Sequence, residues 1–160
     1  MYREILTKAI IAKGEKEIKD DHIVDIDDDI SKMLGCWIIN HKSDVKLEKG
    51  KIIIYGTYQA HIWYGYQQDT LSTLKIIDYD FIDEIPYNFT LESYELNEKN
   101  EIKSYVETSP TCIDMSFLNN KINLTIIRKY KVDIVGETKL KIKVDDVIID
   151  SLVNTDYVKK

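Results

Sequence analysis

The chain is short of the materials from which many enzymes, secreted scaffolds and membrane proteins are built. It has six glycines, and none stands in a Gly-x-Ser-x-Gly elbow, a Gly-x-x-x-x-Gly-Lys phosphate cradle or a Gly-x-Gly-x-x-Gly dinucleotide loop. No catalytic residues and no cofactor are expected. It has two cysteines, Cys36 and Cys112, where a secreted scaffold would carry more. As thiols they are expected to behave as small buried hydrophobes, and whether they cross-link is left open. No apolar run approaches the about 18 residues of a membrane span, and no basic-apolar leader opens the chain. A protein made and folded in a reducing cytoplasm is therefore expected, and Asn88-Phe89-Thr90 carries no glycosylation meaning without a leader.

Positive charge is also in deficit. There are 22 Lys and Arg against 28 Asp and Glu, a net charge of −6. The lysines alternate with acids instead of forming the basic stripe that displaces phosphate counterions, so nucleic acid is not an expected partner.

What is present points to β-structure. Hydrophobic residues make up 44% and charged residues 31%, a globular balance. Apolar positions recur with period two. In 51–66, Ile52, Ile54, Gly56, Tyr58, Ala60, Ile62 and Tyr64 share one face, and Gly56 suggests a bulge or bend. Ile122, Leu124 and Ile126 alternate with Asn123 and Thr125, as do Tyr130, Val132 and Ile134 with Lys131 and Asp133. An irregularity is expected at Ile127 or Arg128 between these runs. Gly136-Glu137 reads as a hairpin turn leading into Leu140, Ile142 and Val144.

Between these runs, 72–81, 89–95, 102–108 and 112–118 read as short strands. Asn97–Asn100 and Asn119-Asn120 read as turns. The opening segment, 2–13, fits a helix through Ile5, Leu6, Ala9 and Ile10 or a strand through Ile5, Thr7, Ala9 and Ile11. A strand ended by Gly14 is preferred. Residues 20–31 hold six Asp among twelve and read as an exposed loop. The tail loses its periodicity after Ile149 and is expected to fray. Lys51–Ile54 with Tyr58–Ile62 weakly repeats as Lys121–Leu124 with Tyr130–Ile134, each copy preceded by a strand carrying a cysteine.

Candidate chemistry is sparse. His22, His41 and His61 lie in no metal-ligand spacing. Asp25, Asp27 and Asp29 begin an EF-hand pattern, but Ile30 occupies the glycine position and Cys36 the final Glu position. A metal site is not expected. The aromatic content is the stronger feature, with eleven Tyr against three Phe. Trp63, Tyr64 and Tyr66 cluster beside His61 at the end of the longest strand. Tyr joins a large contact area to a polar tip and is enriched at interfaces. These four residues form the candidate self-assembly or partner surface.

Five blocks carry a resemblance. They are Tyr2–Gly14, Leu34-Gly-Cys-Trp-Ile-Ile-Asn-His-Lys42, Gly56-x-Tyr58 through Ile62-Trp-Tyr64, Pro110-Thr-Cys112, and Val135-Gly-Glu-Thr-Lys139. In this order they resemble the outer spore coat protein E family. The resemblance implies a structural, morphogenetic protein of endospore-formers, made in the mother-cell cytoplasm and laid on the forespore surface. It implies self-association, attachment to inner-coat and basement-layer proteins, and recruitment of outer-coat proteins. That family's members end in a long, strongly acidic tail. Here the chain ends in a mixed stretch closing on Lys159-Lys160, so contacts made by that tail are not carried over.

The expected fold is all-β, with two small antiparallel sandwich-like modules over 1–90 and 91–148, able to pack as one unit, and a tail over 149–160. Their boundary falls near Tyr87–Lys103. The expected function is a self-assembling scaffold of the spore coat. The alternative is a β-sandwich module that binds cell-wall glycan or coat peptides.

Overall fold

Alternation of apolar and polar residues over long, glycine-poor stretches gives long strands. The computed structural model describes residues 2–90 and 96–143, with side chains described as far as residue 139. Its strands are β1 (Tyr2–Asp25), β2 (Ile30–Glu48), β3 (Lys51–Tyr66), β4 (Leu71–Ile85), β5 (Tyr87–Phe89), β6 (Glu101–Leu118) and β7 (Lys121–Lys143). All pair antiparallel in two sheets, ordered β5-β1-β7-β6 and β2-β3-β4. No helix occurs among the described residues, so none there is long and apolar enough to cross a membrane. The fold is the all-β, sandwich-like class expected. The first half of the chain supplies β1 to β5, and the second half adds β6 and β7 to the sheet that β1 and β5 begin.

The core lies between the sheets. β3 offers Ile52, Ile54, Tyr58, Ala60, Ile62 and Tyr64, and β7 offers Ile122, Leu124, Ile126, Tyr130, Val132 and Ile134. Burying each such aliphatic side chain stabilises the fold by about 1.5–3 kcal/mol before the cost of ordering it. The weak sequence repeat therefore falls on the two central strands, whose apolar faces supply both core clusters.

Several expectations are corrected. The opening segment is a strand, but Gly14 does not end it. β1 runs on to Asp25, and a Cβ at Gly14 would stand 2.1 Å from the Pro86 carbonyl oxygen. A bulge between Ile10 and Ala12 turns the inward face from odd to even positions, so Ile11 and Ala12 are both buried. Thr90 caps the bulge through its hydroxyl to the Ile10 carbonyl at 2.7 Å and its amide to the Ile11 carbonyl at 2.8 Å. The acidic stretch is a loop only between Asp25 and Ile30. Buried Ile26 and Ile30 anchor it through their amides to the carbonyls of Asn120 and Asn119.

Gly56 marks a close approach and not a bulge in β3. An added Cβ there would lie 1.9 Å from the Lys42 carbonyl oxygen. The bulge lies opposite, in β2 between Ile39 and Lys42, where Asn40 takes a φ of 55°. β7 pairs with β1 without a register shift from Lys121 to Ile134, so no irregularity falls at Ile127 or Arg128. The shifts are in β6, which forms one strand where two were expected. Nor is Gly136-Glu137 a hairpin turn, since both residues continue the ladder opposite Ala9 and Lys8. The turns at Asn97–Asn100 and Asn119-Asn120 are present. Of the strand expected over 89–95, only Phe89 lies in a strand, at the end of β5, Thr90 bends away, and 91–95, like the tail at 149–160, lie outside the described residues.

Candidate functional site

Alternation along β3 divides the predicted surface in two. His61 and Trp63 point outward from the three-stranded sheet, and Trp63 is 38% exposed. Tyr64 points inward with 5% exposure and packs with Ile62, Ile122 and Leu124. It is part of the core and not of a contact surface, because odd and even positions of a strand face opposite sides. Tyr66 shares the inward side, half-buried at the strand end, with its ring 6.1 Å from that of Tyr64. Of the four predicted residues, the fold brings His61 and Trp63 together on one face.

Cross-strand register adds residues that strand-by-strand reading missed. His61 pairs with Trp37 of β2 on one side and Ile76 of β4 on the other. Trp63 pairs with Gly35 and Leu74, and Gln59 with Ile39 and Asp78. Directly paired residues project from the same face. An apolar band therefore crosses all three strands, with Trp37 54%, Ile76 51% and Ile39 40% exposed. The Trp37 ring lies over Gly35, where a Cβ would come within 2.5 Å of it. The His61 ring reaches Gln59 Oε1 at 3.3 Å, and Asn40 donates to the same oxygen at 2.7 Å. Nothing local in the Trp37 or Ile76 segments marked them, since the signal lies in the pairing of three separate strands.

The inner face carries a second constellation, built around Arg128. Its Nε and Nη2 donate to the two Asp83 oxygens at 2.9 and 2.8 Å, and Nη1 donates to Asp20 at 2.6 Å. Asp83 belongs to β4 and Arg128 to β7, so this pair joins the two sheets. The guanidinium also lies over the Phe81 ring, 4.6 Å from its centroid. Burial works to lower the pKa of Arg128, but the hydrogen bonds and negative charges of the two carboxylates together outweigh it and raise the pKa, so the side chain stays charged. On either side a histidine meets a buried tyrosine. His22 Nε2 lies 3.1 Å from the Tyr58 hydroxyl, and His41 Nε2 lies 3.1 Å from that of Tyr130. Burial lowers both histidine pKa values and raises those of Tyr58, to about 12, and Tyr130. Every buried side-chain polar atom among the described residues is hydrogen-bonded. This cluster is a fully satisfied core network. Among the described residues, no group of three or more His, Cys, Asp or Glu is placed to hold a metal ion.

The described residues thus form a two-sheet β-sandwich with a satisfied polar core and an apolar outer band. The chain belongs to the outer spore coat protein E (CotE) family, whose model matches residues 1–159. That is a family of structural spore-coat proteins, and membership implies deposition in the spore coat and contact with other coat proteins. No curated protein and no solved structure matches the chain.

Proposed function

We propose that this protein is a morphogenetic scaffold of the spore coat that assembles with copies of itself and recruits outer-coat proteins. The single observation that carries this is the outward apolar band of Trp37, Ile39, His61, Trp63 and Ile76 across the three-stranded sheet. Exposed apolar surface of this kind, with Trp at its centre and polar residues around it, is what protein interfaces bury. A layer also needs contacts that do not close into a small ring, hence at least two distinct self-contacts per subunit. The outer edge of β4, which ends the three-stranded sheet, supplies hydrogen-bonding groups for a second contact. Production in the mother-cell cytoplasm, and attachment to inner-coat and basement-layer proteins, complete this role.

The exposure of Trp37 and Trp63 on one sheet face also favours a second reading, in which cell-wall glycan stacks on the two rings. Light scattering and negative-stain microscopy across protein concentration separate the two. A scaffold grows from discrete oligomers into fibres or sheets, and its Trp fluorescence does not respond to sugar fragments. A monomer at every concentration whose Trp emission is quenched by glycan fragments would replace the first reading with the second.

A further inference from the structure

Cys36 and Cys112 come from strands that share neither a sheet nor a hairpin. β2 ends the three-stranded sheet and β6 ends the four-stranded one. These edges close one side of the sandwich, where Cα atoms of the two strands come within 8 Å of each other, nearer than the roughly 10 Å between stacked sheets. Cys36 pairs with Ile62, Cys112 pairs with Ile126, and both isoleucines are fully buried. The cysteines are free and partly buried, and both pack against the core cluster that includes Ile62, Tyr64, Ile122 and Leu124. Each thiol is the main influence on the other's ionisation, which puts the two sulfurs in the same neighbourhood.

We propose that Cys36 and Cys112 form a redox site, in which a disulfide between them latches one sheet to the other when the protein meets a low-molecular-weight disulfide such as oxidised glutathione. The proposal rests on the fold alone and is independent of whether the protein assembles.

The two sulfurs take different parts. The two thiols titrate as a pair, in which the neighbouring Cys36 thiol, with backbone hydrogen bonds at Asp114 and Thr125, brings the Cys112 pKa down to about 7 against burial and the nearby Asp114 charge. The same interaction between the thiols, helped by burial, raises the Cys36 pKa. Cys112 is therefore the thiolate that attacks near neutral pH. Its sulfur bonds to one sulfur of oxidised glutathione, the S–S bond breaks, and one glutathione thiolate leaves. Cys36 gives its proton to water or to that thiolate and attacks the Cys112 sulfur, expelling the second glutathione. Two protein thiols are oxidised to one disulfide, and one glutathione disulfide is reduced to two glutathiones.

The test treats the folded full chain with oxidised glutathione and maps its peptides without reduction. The intact monomer should lose two hydrogen atoms in mass and yield a Cys36 peptide joined to a Cys112 peptide. Thermal unfolding should rise by roughly 5–15 °C and return on reduction. In Cys36→Ser, Cys112 should accumulate as the mixed disulfide with glutathione. In Cys112→Ser, Cys36 should react at least about tenfold more slowly than Cys112 does in the other variant. Glutathione retained on both cysteines of the wild-type chain without a bridge, or a bridge forming mainly between chains, would overturn the proposal.

Discussion

Asp83→Ala should be among the most damaging single changes in the molecule. Arg128 is 2% exposed and Asp83 7% exposed, and two of the three charged hydrogen bonds of the guanidinium end on Asp83. Removing that carboxylate leaves a buried cation held by Asp20 alone. Asp20 is a weaker anchor, since its side chain is 37% exposed. Breaking a buried pair from one side costs about 3–5 kcal/mol, a large share of the roughly 5–15 kcal/mol that stabilises an ordinary domain. Urea unfolding of dilute protein, followed by far-UV circular dichroism, would read this as a fall in midpoint on the order of 2 M. Asp20→Ala should cost on the order of 1 kcal/mol, because water can replace that acceptor. Replacing both partners of the pair together, Arg128→Met with Asp83→Leu, should recover most of the loss, because no charge is then left buried. A loss under about 1 kcal/mol for Asp83→Ala, or simple additivity of the two changes within about 0.5 kcal/mol, would refute this account of the pair.

Three further outcomes are expected. His22 and His41 are held neutral by burial, with pKa values below the 6.5 of the free side chain. The melting temperature should be flat above about pH 7 and fall as pH drops below 6.5, where the unfolded chain takes up protons that the folded one resists. Gln at both positions should flatten that fall. Gly56→Ala should destabilise by about 3 kcal/mol, because its Cβ would stand 1.9 Å from the Lys42 carbonyl oxygen. Gly50→Ala, in open space at a φ of 77°, should cost only about 1 kcal/mol by chemical denaturation. We also infer that residues 1–90 and 91–160 fold as one unit. Expressed apart, each should lack a cooperative transition by circular dichroism, because β7 would lose β1 on one side and the facing sheet above it. A stable, cooperatively folded fragment of 91–160 would contradict that inference.

The strands were legible wherever apolar residues alternated without interruption. In β3 the inward face from Ile52 to Tyr64 follows the sequence pattern residue by residue. Irregularities were misplaced because a bulge is specified by the partner strand as much as by the strand that carries it. Gly56 drew attention to β3, while the extra residues opposite Tyr58 belong to β2 at Asn40 and His41. Arg128 interrupts an apolar pattern and suggested a break in β7. It is instead an inward residue whose charge is met by carboxylates from β1 and β4, and only the fold brings those three positions together. The candidate surface was half legible for a similar reason. Trp63 and His61 could be placed on an outward face from alternation alone, whereas Trp37 and Ile76 join them through registers that single-strand patterns do not contain. Counting Tyr64 into that surface overlooked the same alternation that correctly put it beside Ile62 and Ala60.

The central claim is that the outer face of the three-stranded sheet makes contacts between copies. Its most direct test is light scattering across concentration for the wild-type chain beside a variant carrying Trp37→Ser, Trp63→Ser and Ile76→Ser. These side chains stand on the exposed face and leave the core clusters untouched. The account predicts that the variant keeps a melting temperature within a few degrees of wild type but stays monomeric at concentrations where the wild type assembles. Equal assembly by the wild type and an equally well-folded variant would contradict it.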